Sequence, residues 1–130
     1  MVWFPDRRRW LVACATAPWC VPAPAAEYAY EADAFAAALK GGGPVAIAFE
    51  TDWCAVCSAQ KPVILQLLDE PRFAAMKLFM ADFDHDLAIR RRLRVTVQST
   101  LVVFRGRREV ARAAGLTRRA DLAALLARAL

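Results

Sequence analysis

The chain has 130 residues, enough for one domain with a sizeable core and too few for two. Apolar residues make up 58% and charged residues 24%, a mixture that excludes a disordered segment. The formal net charge of +5 is a modest excess carried mostly by arginine, and without an interleaved aromatic pattern it makes no case for nucleic-acid binding.

Arg7, Arg8 and Arg9 precede the apolar run 10–21, which ends in Pro22-Ala23-Pro24-Ala25-Ala26. A charged start, an apolar middle and small residues before a cut describe a secretory leader. We therefore read residues 1–26 as a signal peptide, cut near Ala25 or Ala26, and residues 27–130 as the mature domain. Arg7-Arg8-Arg9-Trp10-Leu11 resembles a twin-arginine signal, which implies export in the folded state. The apolar run is shorter than the roughly 20 residues a membrane span needs. Leu11-Val12-Ala13-Cys14 is similar to a lipoprotein box but lies too close to the arginines. Loss of the leader leaves fifteen basic and twelve acidic residues. The expected location is the periplasm or another exported compartment.

In the mature chain, Phe35 and Leu39 lie four apart in an alanine-rich stretch, which predicts a helix from Tyr28 to Lys40 stopped by Gly41-Gly42-Gly43-Pro44. Val45–Phe49 is a continuous apolar run after a breaker, the pattern of a strand covered on both faces. A helix follows from about Cys54 to Leu68, with Val63, Ile64, Leu67 and Leu68 as its buried stripe and a kink expected at Pro62. Lys77–Asp82 reads as a second inner strand and Leu87–Leu93 as a short helix. Thr100–Phe104 is a strand joined through Arg105-Gly106-Arg107 to Glu109–Ala113 as a hairpin. Thr117 suits the N-cap of a last helix whose buried face is Leu122, Leu125, Leu126 and Leu130. Strands and helices that alternate and finish in a hairpin call for an α/β fold, a three-layer αβα sandwich with a central mixed sheet.

Trp53-Cys54-Ala55-Val56-Cys57 sits where a buried strand gives way to a helix. Free backbone N–H groups and the helix dipole there stabilise a thiolate at Cys54. Cys57 lies one turn later on the same face, within disulfide reach, and can resolve a mixed disulfide formed at Cys54. Ser58 stands where covalent haem attachment needs histidine. Two cysteines and His85 are too few ligands for a closed zinc site in one chain. A purely structural disulfide is the remaining bland reading.

These residues resemble the thioredoxin family: Phe49, Asp52-Trp53-Cys54-x-x-Cys57, Pro62, then Thr100-Leu101-Val102-Val103-Phe104 followed by a turn and Gly115. The resemblance covers about residues 28–130. It implies a thioredoxin-like fold, a nucleophile at Cys54, a resolving thiol at Cys57, and a substrate groove beside Trp53 and the loop Gln98-Ser99-Thr100. Trp53 is read either as substrate-facing or as plain packing.

Three positions depart from the family pattern. Ala48 stands where the family carries a buried acid that takes the proton of the second cysteine. Glu50, on the same face of the strand, could substitute as a proton relay or simply line the surface. Ser99 replaces the family's cis-proline, and a cis bond before a non-proline residue costs about 3–4 kcal/mol, so the Gln98–Ser99 bond is expected to be trans. Ala55-Val56 replaces the Gly-Pro of reducing members.

Arg90, Arg91, Arg92 and Arg94 read as a solvated helix face, and His85 as a surface residue near a helix start. The expectation is an exported thiol–disulfide oxidoreductase acting as a monomer by dithiol–disulfide exchange. No cofactor and no metal are expected. The partners expected are protein disulfide or dithiol substrates and a membrane-bound thiol reductase or oxidase. The alternative is a non-catalytic thioredoxin-fold module that holds a metal ion or a partner protein through the same cysteines.

Overall fold

The computed structural model describes residues 26–130, so the leader and Cys14 lie outside the described residues apart from Ala26. Five strands and four helices follow in the order β1 (Ala26–Ala29), α1 (Ala32–Lys40), β2 (Pro44–Glu50), α2 (Ala55–Leu68), β3 (Lys77–Asp82), α3 (Leu87–Arg92), β4 (Thr100–Arg105), β5 (Arg108–Ala114) and α4 (Arg119–Ala127). A single 3₁₀ turn, Pro71–Phe73, leads from α2 into β3. Among the described residues no helix is long and apolar enough to cross a membrane.

The strands form one mixed sheet in the order β1-β3-β2-β4-β5. β1 and β2 run parallel to β3, while β4 is antiparallel to β2 and β5 to β4. Alternate β2 residues face opposite layers, which explains the unbroken apolar run. Ala46 and Ala48 pack with Ile64, Leu67, Leu122 and Leu126 of α2 and α4. Val45, Ile47 and Phe49 pack with Phe35, Phe79, Ile89 and Phe104 on the α1 and α3 side. This is the three-layer sandwich expected.

The structure corrects four local expectations. The segment predicted to begin a helix at Tyr28 starts as strand β1, and α1 begins only at Ala32. Pairing with Lys77–Met80 and a stack of Tyr28 on Phe79, centroids 5.4 Å apart, outweigh the helix preference of alanine. The Glu31 carboxylate then caps α1, accepting from the Asp33 and Ala34 amides at 3.1 and 2.7 Å. At the other end Arg118, not Thr117, is the N-cap of α4, because residues 116–118 cross irregularly from β5 to the α2 layer. Leu130 is exposed, and buried Ala129 takes the inward position instead. Arg90 is not a solvated residue: it lies over the Phe83 ring and donates to the Phe83 carbonyl at 2.7 Å.

Candidate active site

β2 ends at Glu50 and the chain turns through Thr51-Asp52-Trp53, closed by the Cys54 amide donating to the Thr51 carbonyl at 3.3 Å. Cys54 is the N-cap of α2, with extended backbone, and its Sγ accepts from the Cys57 amide at 3.1 Å. The first turn of a fourteen-residue helix thus presents its unpaired amides and positive dipole end to one sulfur, an arrangement that favours a thiolate there. Cys54 and Cys57 are joined as a disulfide, with Cα atoms 5.2 Å apart. Cys54 is half-buried, whereas Cys57 is only 3% exposed and lies 4.0 Å from the Phe49 carbonyl.

Trp53 is 66% exposed beside the pair, so it is not a packing residue. Its indole N–H donates to Asp84 at 3.0 Å. Asp84 belongs to a turn after β3 in which the Asp82 carboxylate accepts from the Asp84 and His85 amides, and Asp86 accepts from the Asp82 amide. His85 is exposed just before α3, as expected, and pairs with Asp82 at 3.1 Å.

The loop before β4 reaches the same end of the sheet. Among the described residues no peptide bond is cis, so the Gln98–Ser99 bond is trans as expected. Ser99 instead adopts the left-handed region, φ 61°, where a non-glycine residue is uncommon. Neighbouring elements hold it there. Its amide donates to the Phe49 carbonyl at 2.8 Å, its carbonyl accepts from Gln60 Nε2 at 3.2 Å, and its hydroxyl accepts from the Gly115 amide at 3.1 Å. The Thr100 hydroxyl donates to the Val97 carbonyl at 2.7 Å. Both hydroxyls of the expected groove are therefore engaged within the protein, Gln98 is half-buried, and Val97 is the apolar side chain the loop exposes.

Glu50 shares its face of β2 with Ala48 and meets Lys61 of α2 at 3.4 Å. The same ammonium reaches Glu27 of β1 at 3.2 Å. Partial burial pulls the Lys61 pKa down, but the two carboxylates outweigh it and hold the ammonium above the usual lysine range. A cleft of about 350 Å³ is lined by Cys57 together with Glu50, Thr51, Asp52 and Lys61, so Glu50 and the inner cysteine open onto one space.

Sequence reasoning singled out Cys54, Cys57, Trp53 and Glu50; the first three lie at the start of α2, and Glu50, at the end of β2, shares a cleft with Cys57. It missed Gln60, Lys61 and Asp84. For Gln60 and Lys61 a signal existed: they stand three and four positions after Cys57, on the helix face that must turn inward beside it.

A family model described as Thioredoxin matches residues 26–128. No curated protein matches the chain. Among solved structures, Trxlp from Edwardsiella tarda is 33% identical with a TM-score of 0.76, over 78% of this chain and 98% of its own. Thioredoxin O2 from Arabidopsis thaliana, in the oxidized state, is 25% identical with a TM-score of 0.65, over 78% and 92%. A thioredoxin from Malassezia sympodialis, 22% identical with a TM-score of 0.72 over 83% and 93%, shares the fold.

Proposed function

This chain belongs to the thioredoxin family of thiol–disulfide oxidoreductases, and we propose that it works outside the cytoplasm on protein substrates, with Cys54 as nucleophile and Cys57 as resolving thiol. In the reducing direction the Cys54 thiolate attacks a substrate disulfide, forming a Cys54–substrate disulfide and releasing one substrate thiolate. Cys57, deprotonated, then attacks the Cys54 sulfur. The second substrate sulfur leaves, and the two protons of the dithiol end on the substrate thiols. Oxidation of a substrate dithiol is the same path reversed. The pair needs no organic cofactor, and a membrane-bound thiol reductase or oxidase resets it.

The observation that carries this reading is the Cys57 amide donating to Cys54 Sγ at the start of α2. The difference in burial supports the order of attack, since Cys54 is the sulfur nearer solvent. Trp53 flanks it as the substrate surface, together with the backbone of the loop Gln98-Ser99-Thr100 and the exposed side chain of Val97 just before it. Glu50, tied to Lys61, serves as proton acceptor for Cys57 in place of an acid at Ala48, and Glu50→Gln should slow release of the mixed disulfide by about tenfold or more. The leader at residues 1–26 delivers the protein to the periplasm, where it acts as a monomer.

Insulin reduction by the wild type and by Cys54→Ser tests the assignment, with metal analysis of the same preparations. Activity that is lost in Cys54→Ser upholds it. Stoichiometric tightly held metal without exchange activity would instead establish the non-catalytic module.

A further inference from the structure

One ammonium holds carboxylates from two strands. Lys61 Nζ lies 3.4 Å from Glu50, at the end of β2, and 3.2 Å from Glu27 on the edge strand β1. Lys61 also stands four positions after Cys57, one turn along the same face of α2, and lines the cleft onto which Cys57 and Glu50 open. A strand at the far edge of the sheet thus reaches the surroundings of the inner sulfur through one side chain of the cysteine-bearing helix.

Among the described residues Lys61 is the one cation paired with Glu50. The other titratable groups facing the same space are all acids: Glu27, Tyr30, Asp52 and Asp86, with Asp82 opposite Glu50 in the register of β2 and β3. How firmly the ammonium holds a carboxylate decides how readily that carboxylate takes a proton, since a carboxylate tied to a cation is a weaker base than one surrounded by acids. Glu27 divides this hold. It also keeps Lys61 charged and in place once Glu50 is protonated: partial burial works against the charge, and the two carboxylates outweigh it.

We propose that Lys61 and Glu27 are positioning residues for release of the mixed disulfide, Glu27 setting how firmly Lys61 holds Glu50 and so how readily Glu50 takes the Cys57 proton. The proposal rests on the proton-acceptor role given to Glu50 above. The proton passes from Cys57 Sγ to a Glu50 oxygen, and the thiolate left behind attacks the Cys54 sulfur. The Cys54–Cys57 bond forms, the Cys54–substrate bond breaks and the substrate leaves as a thiolate, so the mixed disulfide is the only oxidant consumed. Neither Lys61 nor Glu27 gives up a proton in this step.

The test uses the full chain with Cys14→Ser and Cys20→Ser, so that the pair supplies the only thiols. The reduced protein is mixed with an excess of an aromatic disulfide whose released thiolate is coloured. The first release reports attack by Cys54, and the second, independent of reagent concentration, reports attack by Cys57. The acid limb of the second rate against pH is expected to move up by at least about half a pH unit in Lys61→Met and down by a similar amount in Glu27→Gln, with Lys61→Arg close to the parent. The signs differ because the first change leaves Glu50 facing Glu27 without a cation, and the second leaves the cation to Glu50 alone. A salt bridge of structural worth only would lower the melting temperature in both variants without moving the limbs apart. Limbs that stay in place or move the same way, while Glu50→Gln still slows the second release, would overturn the coupling and leave Glu50 as the acceptor. A second release indifferent to Glu50→Gln would sink the acceptor and the coupling together, and the oxidoreductase would stand on the first release.

Discussion

The side-chain amide of Gln60 donates to the Ser99 carbonyl at 3.2 Å and to the Leu116 carbonyl at 2.9 Å, so one buried residue of the cysteine-bearing helix pins two distant loops. Gln60→Leu leaves the Leu116 carbonyl without that donor and the Ser99 carbonyl with the Gly115 amide alone, at 3.3 Å, and should cost about 1–3 kcal/mol in urea unfolding. Gln60→Glu should lose at least as much, since an ionised carboxylate has no donor to offer. A loss below about 1 kcal/mol for Gln60→Leu would mean that the loops hold themselves.

Asp84 steadies the exposed Trp53 indole across 31 residues of sequence. Asp84→Ala removes one surface hydrogen bond and should cost no more than about 1.5 kcal/mol in stability. The loosened indole should lower kcat/KM on a protein disulfide by at most about tenfold. Asp84→Asn retains an acceptor and should restore most of the loss. An Asn variant as poor as the Ala variant would assign the effect to charge rather than to positioning.

Arg94 follows α3 in the left-handed region, φ 55°, where the Val95 amide donates back to the Arg90 carbonyl at 2.9 Å. That closure of a helix end is the one glycine usually supplies. A side chain there costs roughly 1–2 kcal/mol, and glycine's extra freedom in the unfolded chain returns about 0.5–1. Arg94→Gly should thus stabilise the domain by about 0.5–1 kcal/mol in denaturant unfolding, without altering exchange.

The His85–Asp82 pair predicts a small pH dependence. Hydrogen bonding to Asp82, then the charge of Asp82, raises the His85 pKa, so its contribution is complete below histidine's ordinary range and fades as pH climbs through the raised value. The hydrogen bond from His85 comes first among the causes that lower the Asp82 pKa, so that contribution is present above aspartate's ordinary value and fades as pH drops through the lowered one. Denaturation midpoints of wild type and His85→Asn should differ at about pH 5 and converge near pH 9. A difference that is constant with pH would rule out the ion pair as its source.

Much of the fold could be read from local pattern. Val45–Phe49 announces an inner strand because both faces are covered, and Cys54 marks a helix start because a buried strand ends just before it. β1 could not be read this way: four mostly exposed residues, two of them alanine, become a strand only by pairing with residues 51 positions later. The same holds at the site. Cys54, Cys57 and Trp53 are consecutive or nearly so, whereas Gln60 meets Ser99 and Leu116 across 39 and 56 residues, and Lys61 meets Glu27 only once β1 has docked. Replacement of the proline at position 99 predicted a trans bond but not the left-handed backbone, which depends on hydrogen bonds from Gln60 and Gly115.

The unequal burial of the two sulfurs makes the pair a one-way gate. Of the two sulfurs of the pair, only Cys54 lies within easy reach of a bulky alkylating reagent added to the reduced protein, and a mixed disulfide formed there is open to Cys57 from the inside without a second molecule from solution. Intermediates trapped on this protein should therefore share a single linkage chemistry whatever the captured partner.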